Sequence, residues 1–490
     1  MESTGSFDLK MRLDKSLNLW NQKDSRGFLF NGKWVLKSYL ELRMIHIRKF
    51  MKYICTLFFA LLLFASCDPQ DPLVGQTEIT KWQGNKSGAV SITFDDGIIN
   101  QLTIAKPILD SLDLKGTFYI ITGKIEGSGK GKFIGRDPQE IINETAQVPT
   151  DSSNLFERAS LIAYTGTSEA VDYHSRIGSL YEQGKVEEAY SLTDEGYAKI
   201  RNGQMKDTDD IVFHDNVEDT TTWDQYRSYS AQGHEIASHT VTHPRLAVLD
   251  EVNLKYELEQ SKADLLKFIG EESIFSAECP YGTENERVMS YAHQVYHSLR
   301  NRMPEDWLEE INRGSRLTPG QSEKEYVQWQ RGPLTRTSTE EAKSWADTVM
   351  NHDNTWLVLV YHGVENLGWE PKKREELVEY FSYLKAHEDQ LWIAPFRNVT
   401  KYLRERKATT ITTEINSDEI LLNLTCSLDA ELYQEPLTLK TYVPKTWSEV
   451  SLAVEGEAST LQVMEDENGK FVIYSALPNA KNIRLAKSGM

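Results

Sequence analysis

Apolar and polar positions change rhythm several times along the chain. VSITFDDG at 90–97 places Val90, Ile92 and Phe94 on a buried strand that stops abruptly at two carboxylates and a glycine. The next stretch sets Ile104, Ile108, Leu109 and Leu112 on one side of a short helix over 103–112. Proline fits only a first helical turn, so the true start lies near Pro107. GTFYIIT at 116–122 is a second apolar strand, and strand, helix, strand at this spacing predicts a parallel sheet.

That rhythm breaks over 124–222, far beyond the few residues a connection in such a sheet needs. Within the break Ile177, Leu180, Tyr181, Ala189, Tyr190 and Leu192 recur at helix spacing, which predicts an insertion with its own small helical structure. It leaves from the C-terminal end of a strand, where active sites of such sheets lie, so it can overhang the site. From Trp223 the sheet pattern returns as a helix to Gln232 and a strand through His234, Ile236 and Ala237. IFSAEC, VYHSLRNR and WLVLVY supply further strands, followed by KREELVEYFSYLKAH (helix), LWIAPF (strand) and NVTKYLRER (helix), which closes the domain 89–407. Over 408–490 the pattern becomes EILLNLTC, LTLKTYV, VSLAV, TLQVM, FVIYSA and NIRLA, with a hairpin turn at Glu467, Asn468 and Gly469. These short alternating runs predict a small all-β, sandwich-like domain, either packing or carbohydrate-binding, with packing favoured.

The first residues are read as processing signals. Residues 1–43 are polar, and Arg48, Lys49 and Lys52 then lead into YICTLFFALLLFASC, which ends on Ala65, Ser66 and Cys67. A basic stretch, a short apolar stretch and small residues before a cysteine predict a lipoprotein-type signal over 1–66, translation from Met44 or Met51, and a lipid anchor on Cys67. The apolar run is shorter than the ~20 residues of a membrane span. Residues 67–88, polar with Pro69 and Pro72, are expected to be a tether.

Without the first 66 residues the chain carries 43 basic and 68 acidic side chains, a net charge of −25. Such a balance argues against nucleic acid or anionic lipid as a partner drawn by charge, and favours a substrate that is neutral or cationic, or one gripped locally rather than by long-range attraction. Cys55 and Cys67 fall in the signal region and Cys279 and Cys426 stand far apart, so no disulfide framework is expected. Cys279 reads as a small buried hydrophobe, with a fourth-ligand role the weaker alternative.

Asp95 and Asp96 at a strand end suggest a metal, a general base, or one of each; a solvated turn is the bland alternative. His239 and His243 follow another strand end. His-x-x-x-His places two imidazoles one turn apart, and although the pattern is weak alone, its pairing with an Asp pair at a neighbouring strand end is strong. Pro244 disfavours helix at His243, which predicts a tight turn there.

TFDDG at 93–97, GHEIASHTVTH at 233–243, PYG at 280–282 and VYHG at 360–363, in that order and each at a predicted strand end, resemble the motifs of the polysaccharide deacetylases, carbohydrate esterase family 4. The resemblance covers 89–406 apart from the insertion. It implies an α/β fold, a distorted and incomplete (β/α) barrel. It implies Asp96, His239 and His243 as ligands of a divalent metal, zinc first, an open site that suits catalysis. It also implies Asp95 as the base that takes the proton of the attacking water, the backbone N–H at Tyr281 as oxyanion donor, and His362 as the acid for the leaving group. The weaker alternatives are that Tyr281 and Pro280 shape a plain turn and that His362 is a buried strand-end histidine. Two departures stand out. Glu278 occupies the place where many members carry an arginine that steadies the catalytic aspartate, and the Asp-rich tryptophan motif has only PEDW at 304–307 as a stand-in. Either Glu278 repels Asp95 directly, or Arg300 or Arg302 on the next strand reaches across in place of the missing arginine. The expected function is metal-dependent deacetylation of an N- or O-acetylated polysaccharide or oligosaccharide in the bacterial cell envelope, facing the periplasm or on the surface. The alternative, motivated by Glu278, is a non-catalytic glycan-binding protein on the same scaffold.

Overall fold

The strand predicted at the Asp pair is buried from end to end, and the sheet is laid down on both sides of it. The computed structural model describes residues 73–165, 167–205, 221–416 and 418–488. The expected signal 1–66, the expected lipid anchor site Cys67 and the first residues of the expected tether lie outside the described residues. Among the described residues no helix is long and apolar enough to cross a membrane.

In chain order the first ten strands are β1 (Thr77–Ile79), β2 (Gly88–Phe94), β3 (Thr117–Ile120), β4 (Glu235–Ser238), β5 (Ser276–Ala277), β6 (Ser298–Leu299), β7 (Leu308–Ile311), β8 (Tyr326–Arg331), β9 (Thr355–Tyr361) and β10 (Leu391–Ile393). Nine of them form a parallel sheet in the order β6-β5-β4-β3-β2-β9-β8-β7, with β10 beside β2. β10 pairs with residues 88–90 of β2 and β3 with residues 93–94, so one edge of the central strand serves two neighbours. β6 and β7 end the order without pairing to each other, which leaves the barrel incomplete. A side chain spans that gap: Gln330 Nε2 at the end of β8 donates to the carbonyl of Arg300 after β6, at 2.7 Å.

Alternation along β2 sends Val90, Ile92 and Phe94 into the core shared with the outer helices. Ser91 and Thr93, on the other face, donate to the carbonyls of Ala394 and Leu359, both at 2.8 Å. After the Asp pair the chain makes a π-helical turn, Gln101–Ala105, and then the helix Lys106–Ser111. The wide turn leaves Pro107 in the first turn of the regular helix, where its missing N–H costs nothing.

The insertion folds as the helices Pro138–Glu144, Leu155–Ala163, Ser168–Glu182 and Val186–Arg201 around a core of its own that includes Ile141, Ile162, Tyr173, Ile177, Ala189 and Tyr197. Val248 of the barrel belongs to the same core.

The C-terminal strands are β11 (Thr409–Ile415), β12 (Glu419–Cys426), β13 (Leu437–Tyr442), β14 (Glu449–Val454), β15 (Glu457–Gln462), β16 (Met464–Asp466), β17 (Gly469–Ala476) and β18 (Ile483–Lys487). They form two antiparallel sheets, β11-β12-β18-β14-β15 and β1-β13-β17-β16. The run expected as one strand at 460–464 is therefore two, β15 and β16, and they lie in different sheets. The turn at 467–469 closes the β16–β17 hairpin, and Asp466 Oδ1 caps it by accepting from the N–H groups of Asn468 and Gly469.

Two domain boundaries are corrected. Within the expected tether 67–88, the residues from Thr77 onward are folded: β1 pairs antiparallel with β13, and Trp82 is fully buried, its indole N–H donating to the carbonyl of Asp353 at 2.6 Å. The stretch 408–490 is not a self-contained lobe, because it takes β1 from the chain that precedes the barrel. One apolar core also runs from Leu422, Leu439 and Leu485 of the sandwich through Tyr402 and Phe396 to Trp356 in the barrel. Trp82→Ala is therefore expected to cost ~3–5 kcal/mol, the range for emptying a buried tryptophan site. Denaturant unfolding measures it; a tether residue would register within about 0.5 kcal/mol of wild type.

Candidate active site

Six side chains picked out by the sequence come from four strand ends and line one cavity of about 730 Å³: Asp95, Asp96, His239, His243, Tyr281 and His362. β2 delivers the Asp pair, β4 leads to the histidines, β5 to the tyrosine turn, and β9 to His362. This is the end of the sheet at which strands stop and loops begin, where such folds place their chemistry.

One donor atom from each of Asp96, His239 and His243 falls within 4.8 Å of the others. Asp96 Oδ1 lies 3.6 Å from His239 Nε2 and 3.4 Å from His243 Nε2. A tetrahedral ion with ligands at about 2.1 Å holds them about 3.4 Å apart, so the donor set and its spacing fit a divalent metal. His239 Nδ1 lies 2.9 Å from the carbonyl oxygen of Glu278. A carbonyl only accepts, so the proton is on Nδ1 and the lone pair of Nε2 faces the triad. Burial pushes the His239 pKa down to about 4, which keeps the ring in its neutral, ligating form. Cys279 is buried in a separate apolar cluster and is not part of this triad.

Asp95, next in sequence, faces a different partner. Arg300 Nη1 and Nη2 grip its two oxygens at 2.8 and 2.7 Å. The same guanidinium bonds Thr93 Oγ1 at 2.6 Å and reaches Glu278 through Nε at 3.1 Å and Nη2 at 2.9 Å. Arg300 thus reaches across in place of the arginine missing at 278, while Arg302 points elsewhere and pairs with Glu286 at 2.8 Å. Burial alone would raise the Asp95 pKa, but Arg300, then His362 and His239, outweigh it and hold the carboxyl well below the usual range. Burial raises Glu278 against the pull of the same arginine. His362 Nε2 lies 3.4 Å from Asp95 Oδ2, and burial pushes its pKa down to about 3.

The backbone that carries these groups is strained. Asp96, Thr240, His243 and Tyr281 have φ of 79°, 67°, 61° and 64°, a region that side chains rarely occupy. His243 is held off helical geometry immediately before Pro244, as the sequence predicts. Two residues that sequence reasoning missed hold this geometry. Glu257, fully buried on the helix Glu251–Phe268, accepts from the N–H groups of Val241 and Thr242 at 2.8 and 2.9 Å, from Thr242 Oγ1 at 2.7 Å and from Tyr164 Oη at 2.8 Å. It cradles the turn between the two histidines. Gln101, also fully buried, donates through Nε2 to the carbonyls of Asp95 and His362, the latter at 2.8 Å. It ties the ends of β2 and β9 together.

The insertion is part of the site. Val171 and Ser175 of its helix Ser168–Glu182 line the cavity. Arg245 passes beside Gly178, where an added Cβ would lie 2.2 Å from its Cδ, then pairs with Glu182 at 2.5 Å and stacks 4.2 Å from the Tyr281 ring. PEDW at 304–307 does not reach the cavity: Trp307 packs edge-on against Tyr326 at 5.5 Å and lines a different depression.

Comparison with known proteins bears on part of the chain. The polysaccharide deacetylase family model matches residues 192–299, a stretch that begins in the insertion, contains both histidines and Tyr281, and stops one residue before Arg300. A gellan lyase from Bacillus sp is 25% identical over 287 residues, 55% of this chain and 11% of the lyase, so the chain spans about a tenth of that relative. Among solved structures, a putative polysaccharide deacetylase from Mycobacterium smegmatis aligns with 67% of this chain and 94% of its own at 14% identity and a TM-score of 0.35. The peptidoglycan deacetylase PdaC from Bacillus subtilis aligns with 65% and 93% at 13% identity and a TM-score of 0.30. A polysaccharide deacetylase domain in the chain is supported by the family-model match.

Arg300 is the residue on which a stability measurement can bear. Arg300→Gln leaves two buried carboxylates without their cation and is expected to cost about 3–5 kcal/mol at neutral pH. Without the arginine both carboxyls have folded pKa values above their unfolded ones. The deficit is therefore present above the unfolded carboxyl range and shrinks as pH falls toward about 4. Denaturant unfolding of wild type and variant across that window checks both the size and the sign.

Proposed function

We propose that the chain hydrolytically removes acetyl groups from an N- or O-acetylated polysaccharide, in a metal-dependent reaction at the bacterial cell envelope. The observation that carries the reading is the adjacency of two differently committed aspartates: Asp96 turned to the imidazoles of His239 and His243, and Asp95 locked by Arg300 within reach of His362. Asp96, His239 and His243 would hold the ion. A divalent metal bound there, zinc first, supplies Lewis-acid polarisation of the acetyl carbonyl and lowers the pKa of a water beside it.

The remaining steps belong to the chain's own residues. Asp95, kept ionised by Arg300, takes the proton of the attacking water at a carboxylate oxygen. As the water oxygen bonds to the acetyl carbon, the backbone N–H of Tyr281 faces the negative charge on the carbonyl oxygen. Asp95 Oδ2 lies 3.4 Å from His362 Nε2, so the proton has a short path to a ring that burial keeps neutral in the free protein. His362 then hands it to the sugar nitrogen or oxygen as the bond to the acetyl carbon breaks, which releases acetate. The Arg300 grip also positions Asp95 through both of its oxygens, so the base has one orientation. The envelope assignment rests on the basic and apolar run that ends at Cys67.

The second reading, a glycan-binding protein without turnover, drew on Glu278 in place of the family arginine. Arg300 at 2.7 Å from Asp95 offsets that departure.

Acetate release from a panel of acetylated glycans, with and without chelator, tests the main reading. Release that a chelator abolishes supports it; tight glycan binding with no release from any member favours the binder. His239→Ala and His243→Ala are expected to lose both metal and activity while the fold survives, since the triad sits on a preformed sheet edge. Elemental analysis of the purified variants decides it, and stoichiometric metal in either would mean that the ligands are misassigned. Asp95→Asn should lose at least ~100-fold in kcat with metal content near wild type. Loss of metal in that variant instead would mean that the two aspartates have exchanged roles.

A further inference from the structure

The ionisable groups on the cavity wall are sorted by sign. Its carboxylates, Asp95, Asp96 and Glu278, are all buried, and each has a partner: Asp96 beside the histidines, Asp95 and Glu278 on Arg300. Apart from the histidines and Tyr281, the other ionisable side chains on the wall among the described residues are cations: Lys124, Arg245 and Arg313. With three carboxylates and three cations the wall is balanced in sign, in a chain with 73 acidic and 54 basic residues.

Arg245 is committed to Glu182 and the Tyr281 ring. Arg313 is placed differently. Its nearest carboxylate oxygen, Glu278 Oε1, is 4.0 Å away and already accepts from Arg300 at 2.9 Å, and the Arg313 side chain keeps 29% of its surface exposed. Small residues surround it. A Cβ added at Gly282 would lie 3.1 Å from Arg313 Nη2 and one at Gly332 3.7 Å from its Cδ, so the guanidinium lies close over the turn that carries Tyr281. Another part of the rim presents Trp369, 53% exposed, its ring edge-on to His362 with centroids 4.8 Å apart. An indole left in water at the mouth of a cavity suits the apolar face of a sugar ring, and a planar guanidinium fork suits a carboxylate.

We propose that Arg313 and Trp369 form a subsite for a uronic acid residue, so that the acetylated polysaccharide this site takes is an anionic, carboxylate-bearing one. The inference deepens the deacetylase reading and rests on it for the acetyl group, whereas the subsite itself rests only on the cavity wall.

Two probes with one backbone isolate the charge: acetylated oligogalacturonates with free carboxylates, and the same oligomers methyl-esterified. Wild-type kcat/KM is expected to favour the free acids by about tenfold or more, the scale of one charge-assisted hydrogen bond, chiefly through KM and less so as salt is raised. In Arg313→Gln that preference should collapse toward unity, with Arg313→Lys retaining part of it. Trp369→Ala should weaken both probes alike, because the stacking partner is uncharged. Calorimetric binding of both probes to Asp95→Asn gives the same comparison without turnover. Equal kcat/KM for the two probes, or a preference that survives Arg313→Gln, overturns the subsite while leaving deacetylation standing. Preferential binding of free acids with no acetate released from any glycan keeps the subsite and removes the deacetylase reading.

Discussion

One buried guanidinium decides how the site is built. Arg300 is fully buried and bonds Asp95, Glu278 and Thr93 together, so the ends of two strands, β2 and β5, converge on a single cation. Two carboxylates in a low-dielectric interior are costly unless paired, and removing their shared partner leaves both exposed to that cost. The same pairing gives Asp95 its orientation and charge. Asp96, turned by its left-handed backbone, is then free to face the histidines instead. Adjacent aspartates can serve different partners only because one is held by an arginine from a distant strand and the other by a strained φ.

Strain of this kind persists when neighbours over-determine it. Glu257 does so for the histidine turn by accepting from two backbone N–H groups and a threonine hydroxyl, and Gln101 does so for the ends of β2 and β9. The fourth donor to Glu257 is Tyr164, just after the insertion helix Leu155–Ala163. Arg245 docks on Glu182 of another insertion helix while stacking on Tyr281. The insertion is thereby wired to the histidine turn and to the tyrosine turn, and its Val171 and Ser175 complete the cavity wall. Phe396 packs on Trp356 at 4.7 Å within the apolar core that the β-sandwich shares with the barrel.

The sequence by itself determined the parallel sheet, the helical insertion, the C-terminal β runs and the residues that meet in the cavity, because each was written in a short window. Alternation marked β2, a continuous apolar run marked β9, helical period marked the insertion, and Asp95, Asp96, His239, His243, Tyr281 and His362 each lay at or shortly after a predicted strand end. β1 and β11 were not legible. TEI is too short to show a period, and TTITTEI at 409–415 is a largely exposed edge strand without a buried face to pattern. Only the tertiary structure decided which arginine holds Asp95: Arg300 and Arg302, two residues apart, would share one face of an extended strand, but both lie past the end of β6, where Arg300 meets Asp95 and Arg302 pairs with Glu286. Glu257, Gln101 and Arg313 carry no motif at all. Their roles come from contacts between residues far apart in the chain, such as Arg300 with Asp95, and a one-dimensional pattern records the period of burial but not the partner met across the fold.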